Sequence, residues 1–239
     1  MDPAAYKILK IEKTKVVFET EMNLLFHRVK EYINITIRKN IELCSQPPFK
    51  LFNECSYAGY IMKSSLKYSG NGKNNVNPAI WNILQVQGNG KIIIPIKHNI
   101  KPKDFINKSK YHIKKNTLIT EVKTSTSFKF SIKANNSLGI MLYENLNNDP
   151  AFIIVRKFSI YDESEYYDVS VDDLNNKGYV QQVYIDDGKL GGFGEMEYHS
   201  PAVSMKKGNE ISDISELWAF IGNKNEIIEI KNKIIEDYK

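Results

Sequence analysis

The sequence predicts a mainly β protein, a large two-sheet antiparallel sandwich with one helix at its C-terminus. Three observations predict it. Apolar residues recur with period two far more often than with period 3.6, turn-forming residues part the apolar runs at short intervals, and one stretch alone carries a helical stripe. With 239 residues, 42% hydrophobic and 26% charged, the chain can bury a core without metal or disulfide staples. No linker, internal repeat or heptad array divides it, so a single domain over residues 1–239 is expected.

Near the N-terminus, Ile33, Ile35 and Ile37 alternate with Asn34, Thr36 and Arg38, the pattern of a strand with one buried face. Met22–Val29 before it fits helix or strand, and Pro47-Pro48 breaks the pattern after it. Ala79–Val86 and Lys91–Ile96 flank Gln87-Gly88-Asn89-Gly90 and read as a hairpin, with Pro95 marking an edge or strand end. Ser127–Lys133, Leu138–Tyr143 and Ala151–Ile160 continue as strands, with turns at Asn135-Asn136 and Asn147-Asn148-Asp149-Pro150. Tyr179–Ile185 and Phe193–Ser200 form a hairpin around the glycine-rich loop Asp186–Gly192. At the end, Ile227, Ile228, Ile230, Ile234 and Ile235 share one helical stripe, Glu229 precedes Lys233 by one turn, and Asn223 or Asn225 can cap the start. A helix over 223–238, regular from Glu226 to Asp237, is expected to pack this stripe on a sheet.

Several function classes are set aside. The net charge of +5 arises from 33 basic and 28 acidic residues spread along the chain, so nucleic acid is not called for. The lysine-rich stretch Lys97–Lys115 reads as a long solvated loop, because aromatic residues are not interleaved at the density stacked bases require. No apolar run approaches ~20 residues and the opening MDPAAYKILKIEKTK lacks a secretory h-region, so no membrane association and a cytoplasmic location are expected. Without a secretory signal, the glycosylation-like triplets at Asn34, Asn107 and Asn135 read as coincidence. The four histidines (His27, His98, His112, His199) have no Cys, His or carboxylate at zinc-ligand spacing. No phosphate-binding loop or Gly-x-Ser-x-Gly elbow is present, so neither metal nor cofactor is expected, and Cys44 and Cys55 read as incidental.

The informative segment is Gly191–Pro201, GGFGEMEYHSP. On a strand, Glu195, Glu197 and His199 project from one face while Met196 and Tyr198 project from the other. Successive members of this row stand roughly 7 Å apart at a rise of ~3.3 Å per residue. At that distance two carboxylates repel by about 2.4 kcal/mol at an effective dielectric of 20, but only about 0.6 kcal/mol in water. A row in a cleft therefore holds one raised and one charged carboxylate, the state of a general acid/base pair, whereas an exposed row is a solvated strand face over a Met196–Tyr198 core.

The same segment, with Met205-Lys206-Lys207-Gly208-Asn209-Glu210 and Glu216-Leu217-Trp218-Ala219-Phe220, resembles the end of a galactose mutarotase-like (aldose 1-epimerase-like) β-supersandwich. Pro78–Val86 and Lys91–Pro95 resemble the middle hairpin of uncharacterised members of that superfamily, and Leu138-Gly139-Ile140 leading to Ile153–Phe158 adds a third match. The likeness spans roughly residues 57 to 222 and is nearer to the uncharacterised members than to true epimerases. The chain is short at its N-terminus for this fold, as though first strands of the full fold were absent.

The resemblance implies a carbohydrate ligand, mono- or oligosaccharide, and a late-strand glutamate as general base on the anomeric hydroxyl. By position that base is Glu197, with Glu195 the neighbouring choice. The central-strand histidine that protonates the ring oxygen does not carry over, since Ile80–Val86 offers Asn82 and Gln85 instead. His199 stands on the carboxylate row as a substitute acid, and His98 is a second candidate. Trp81 either floors the sugar site or packs in the core, and Arg156 either meets sugar hydroxyls and Glu197 or lies on the surface. Two functions follow, a sugar epimerase or mutarotase and a non-catalytic sugar-binding or sensing module that lacks the acid.

Overall fold

The computed structural model describes residues 5–26, 30–47, 55–69, 77–98, 100–161, 164–168, 175–203 and 210–238. It has the expected class, two antiparallel sheets and one C-terminal helix. Chain order begins with β1 (Lys7–Ile11), β2 (Lys15–Phe26), β3 (Glu31–Leu43), β4 (Ser56–Ser69), β5 (Trp81–Gln87) and β6 (Lys91–Pro95). It continues with β7 (Lys103–Ile106), β8 (His112–Lys114), β9 (Thr117–Glu121), β10 (Phe128–Lys133) and β11 (Ile140–Asn145). Then come β12 (Ala151–Phe158), β13 (Tyr179–Ile185), β14 (Phe193–His199), β15 (Glu210–Gly222) and the helix α1 (Lys224–Asp237). The larger sheet has ten strands in the order β1-β2-β3-β4-β15-β12-β11-β6-β9-β8, and the smaller has five, β5-β14-β13-β10-β7.

Strand alternation builds three layers. On β11, Met141 and Tyr143 face the smaller sheet and join Phe128, Phe130, Val183, Met196 and Tyr198 in the core between the sheets. Ile140 and Leu142 point the other way and, with Ile153, Val155, Trp218 and Phe220, receive Ile227, Ile230 and Ile234 of α1. Asn223 caps α1: its side chain accepts from the N–H groups of Asn225 and Glu226 (3.0 and 3.1 Å), and Glu226 accepts from the Asn223 N–H (2.8 Å). Lys231 ties the helix to Glu144 on β11 at 2.8 Å.

Two expectations need correction. The runs Ala79–Val86 and Lys91–Ile96 are consecutive but form no hairpin ladder, because β5 belongs to the smaller sheet and β6 to the larger. Val86, Ile92 and Ile94 all enter the core between the sheets, so the chain arches from one sheet to the other. The arch is held by β9's end, with Asn89 N–H donating to Val122 O (3.0 Å) and Val122 N–H to Gly90 O (2.9 Å). Gly90 is required there, since a Cβ would lie 2.4 Å from the Tyr143 ring. Lys97–Lys115 is not one loop: β7 pairs with β10 and β8 with β9, both short and mostly solvent-facing. In the Met22–Val29 stretch, strand β2 runs through Phe26, and residues 27–29, His27 among them, lie outside the described residues. The expected 179–200 hairpin is present as β13–β14, its loop pinned by the Asp186 carboxylate, which accepts from the N–H groups of Gly188, Leu190 and Gly192.

Both cysteines are free thiols, and burial raises the pKa of each. Among the described residues no helix is long and apolar enough to cross a membrane.

Candidate functional site

The outer face of the smaller sheet carries the row read from the sequence. On β14, Met196 and Tyr198 are sealed in the core, so Glu195, Glu197 and His199 point outward. Pairing of β14 with β5 sets Glu195 opposite Gln85, Glu197 opposite Ile83 and His199 opposite Trp81, while pairing with β13 sets Glu197 opposite Gln182. Gln182 in turn stands opposite Ser131 of β10, so Glu197, Gln182 and Ser131 form one line across three strands.

Glu197 is fully buried on this face. Its Oε2 accepts from the Trp81 indole N–H at 2.7 Å and from Lys129 Nζ at 2.6 Å. Lys129 also lies 4.8 Å from the centroid of the Trp81 ring. Burial pushes the Glu197 pKa up, and the Lys129 charge, the Lys129 and Trp81 hydrogen bonds pull it only part of the way back. Its second oxygen, Oε1, has no hydrogen-bond partner among the described residues; nor do Gln182 Oε1, Ser131 Oγ and His199 Nε2. Four buried polar atoms with unmet hydrogen bonds thus lie along one sheet face. Orphaned groups at that density are uncommon in a packed protein.

His199 stacks on Trp81, with ring centroids 6.1 Å apart and planes 5° apart, and its Nε2 stands 3.7 Å from Asp168 Oδ2. Burial, with the Lys129 charge adding to it and Asp168 opposing it, brings its pKa down to about 4. At pH 7 the ring is neutral. Asp168, from the segment that covers this face, also accepts a hydrogen bond from Gln182 Nε2. Glu195 is less buried and accepts from Gln85 Nε2 at 3.0 Å. Trp81 is 41% exposed at the sheet's edge, one side facing solvent and the indole N–H turned in to Glu197.

The structure therefore gathers Glu195, Glu197, His199, Trp81 and Gln85 and sets two predicted residues apart. Arg156, on β12 of the larger sheet, lies between the sheets on the opposite side of β14, where its Nη1 donates to Met196 O at 2.5 Å. His98 is exposed just beyond β6. Asn82 faces inward from β5. The segment Met205–Asn209 of the resemblance lies outside the described residues. Sequence reasoning missed Lys129, Gln182, Ser131 and Asp168. Lys129 and Ser131 alternate with Phe128, Phe130 and Ile132, so their outward face was legible; that Lys129 reaches across β13 to Glu197 was not. Among the described residues no cluster of three or more His, Cys, Asp or Glu side chains could hold a metal.

The fold is similar to that of a protein from Escherichia coli K12 provisionally identified as an aldose 1-epimerase, with a TM-score of 0.51 over 90% of this chain and 68% of that one. The two are 7% identical, so the likeness is one of fold. It agrees with the fold class that the sequence resemblance implied. No curated protein matches the chain in sequence. A family model spans residues 1–236, and the chain belongs to that family, DUF6786, a family of unknown function.

Proposed function

We propose that this protein binds a carbohydrate on the outer face of the smaller sheet, around Trp81 and Glu197. The observation that carries the reading is the line of Glu197, Gln182 and Ser131, each with a buried polar atom lacking a partner among the described residues. Sugars supply hydroxyls that both donate and accept, and the apolar face of a pyranose suits the half-exposed Trp81 ring. The Glu197 charge is offset by Lys129, so the site favours a neutral polyol over an ion. Glu197 itself is fully covered, and a sugar reaches it only when Trp81 or the Asp168 segment moves aside.

Turnover is the second reading, favoured by one feature, the raised pKa of Glu197 together with its free Oε1. As general base Glu197 would take the anomeric proton while an acid protonates the ring oxygen and the bond from C1 to that oxygen breaks. His199 fits that acid poorly, because with a pKa of about 4 it is almost wholly deprotonated at pH 7. The charged donor beside Glu197 is Lys129.

Calorimetric titration with hexoses, pentoses and uronic acids tests binding: one or more should bind, and Trp81→Ala should weaken that sugar at least tenfold. No heat with any of them overturns the reading. Anomeric exchange followed by NMR tests turnover. If the wild type accelerates exchange, Glu197→Gln should slow it about 10²–10⁴-fold, and Glu195→Gln far less. A larger loss from Glu195→Gln moves the base to Glu195, and no acceleration by the wild type leaves binding alone.

A further inference from the structure

The larger sheet extends past the edge of the smaller one. Beneath that overhang the inner sides of β2, β3, β4 and β15, with the first half of β5, line an open cavity of about 630 Å³. It lies on the opposite side of β5 and β14 from Glu197. The overhang lines it with Met22, Leu24, Ile35, Ile37 and Met62, and β12 contributes Arg156.

Arg156 is the unusual member. It is only 6% exposed, its guanidinium carbon lies 4.6 Å from the Tyr198 ring centroid, and among the described residues it forms no ion pair with a carboxylate. Asp213 is the nearby acid, and its Oδ2 is taken by the Tyr198 hydroxyl at 2.7 Å. Glu216 also borders the cavity, but strand alternation puts its carboxylate on the helix side, beside Lys157 Nζ (3.4 Å) and Trp218 Nε1 (3.3 Å). Lys39, over the Tyr6 ring at 4.9 Å, adds a second positive charge to the wall. Asn82 stands opposite Tyr198 on β5, is 7% exposed, and has an Nδ2 with no acceptor among the described residues.

A buried guanidinium with no carboxylate in contact among the described residues, lining the same cavity as an amide donor with no acceptor among them, is complementary to a carboxylate, and the apolar walls are complementary to an alkyl body. We propose that this cavity binds a linear aliphatic monocarboxylate, its head on Arg156 and Asn82 and its chain along Met22, Leu24, Ile35, Ile37 and Met62. Trp81, at the edge of β5, borders this cavity as well, but the proposal does not depend on the sugar reading.

The test is titration of the whole chain at pH 7 with octanoate, decanoate and dodecanoate below their micellar concentrations, with 1-decanol as the uncharged control, read by calorimetry and tryptophan fluorescence. Binding should be one to one and tighten about fourfold per added methylene until the cavity is full. Decanoate should bind at least tenfold more tightly than decanol. Arg156→Gln should erase that preference while leaving decanol binding in place. Asp213→Asn, which keeps the shape and removes a negative charge near the guanidinium, should tighten decanoate several-fold and leave decanol unchanged, and it serves if Arg156→Gln fails to fold. Equal affinity for acid and alcohol, a preference untouched by both substitutions, uptake of several molecules per chain, or no binding by any probe each overturns the proposal.

Discussion

The two sides of β5 and β14 bury charge in opposite ways. On the outer side, Glu197 meets Lys129 at 2.6 Å, so the charge is balanced, but Glu197 Oε1, Gln182 Oε1 and Ser131 Oγ are left with hydrogen bonds unmet. On the inner side, Arg156 has the Met196 carbonyl and the Tyr198 ring and hydroxyl for company, and among the described residues no carboxylate touches it, Asp213 acting on it from a distance. The outer cluster is electrostatically closed and open in hydrogen bonding, which suits a neutral, hydroxyl-rich ligand; the inner one is open in charge, which suits an anion. A single strand serves both, because Trp81 and Asn82 are neighbours in sequence that alternation sends to opposite sides.

The hardest test of this contrast removes the outer cation. Lys129→Met leaves Glu197 buried with only the Trp81 indole as a partner, and breaking a buried pair from one side typically costs about 3–5 kcal/mol. The sign of its pH dependence follows from the raised folded pKa of Glu197, which the substitution raises further by deleting the opposing charge. The folded variant then holds a proton that the unfolded chain has released, so its stability rises relative to wild type as the pH is lowered from 7 toward 5. Urea denaturation of both proteins across that range reads the effect. A loss under about 1 kcal/mol at pH 7 would show that Glu197 is neutral in the native protein, and the outer cluster would no longer count as an ion pair.

How much of this was legible in the sequence divides along the same line. Alternation placed Glu195, Glu197 and His199 on one face and Met196 and Tyr198 in the core, because a strand's period of two is local. The helix and its Asn223 cap were readable for the same reason. Sheet membership was not. The arch between β5 and β6 carries hairpin-like turn residues, yet what decides it is that Val86, Ile92 and Ile94 meet in one core, a long-range fact. Arg156 shows the limit best. Its place after the apolar run Phe152–Val155 fits a surface, a sugar site or the interior, and only the pairing of β12 with β11 and β15 sends it between the sheets.

His199 offers a pH-dependent effect nearly as large. The unfolded chain takes up this proton near the ordinary value of 6.5 and the folded chain near 4, so between those values the unfolded state holds more protons and stability falls as the pH is lowered. The full difference amounts to about 3 kcal/mol, present below pH 4 and absent above 6.5. Glu197 works in the opposite sense, so the comparison is between wild type and His199→Gln, in which the glutamate contribution is common. Wild type should lose more stability than the variant between pH 7 and 4.5. Parallel curves would mean that the imidazole titrates at an ordinary pKa, in contact with water.

On the inner side, Tyr198→Phe deletes the hydroxyl that donates to Asp213 Oδ2 and leaves that buried acid with the Ile214 N–H as its remaining donor. Taking a donor from a buried group in this way costs about 1–3 kcal/mol. Asp213 is then free to turn toward Arg156, so the loss should sit at the low end of that range if the guanidinium is within its reach, and at the high end if it is not. Thermal unfolding of Tyr198→Phe, Asp213→Asn and the double variant resolves the two cases: strong non-additivity confirms that the hydroxyl and the acid act as a pair.

The smallest effect is expected at Glu195, and its smallness sharpens the contrast. Glu195 shares the outer face with Glu197 two residues away, but it is partly exposed, its partner Gln85 is exposed, and its charge is the weakest of the named influences on Glu197. Glu195→Gln preserves a hydrogen-bonding group opposite Gln85 and removes one charge that water already screens, so stability should change by less than about 0.5 kcal/mol. Removing a like charge also favours the ionised form of Glu197, which predicts a slight gain that shrinks with added salt. Glu197→Gln, by contrast, leaves the Lys129 ammonium facing an uncharged amide in a buried site and should destabilise several times more. Chemical denaturation of both variants at low and high salt checks the pair, and comparable losses from the two substitutions would mean that burial does not separate the members of the carboxylate row.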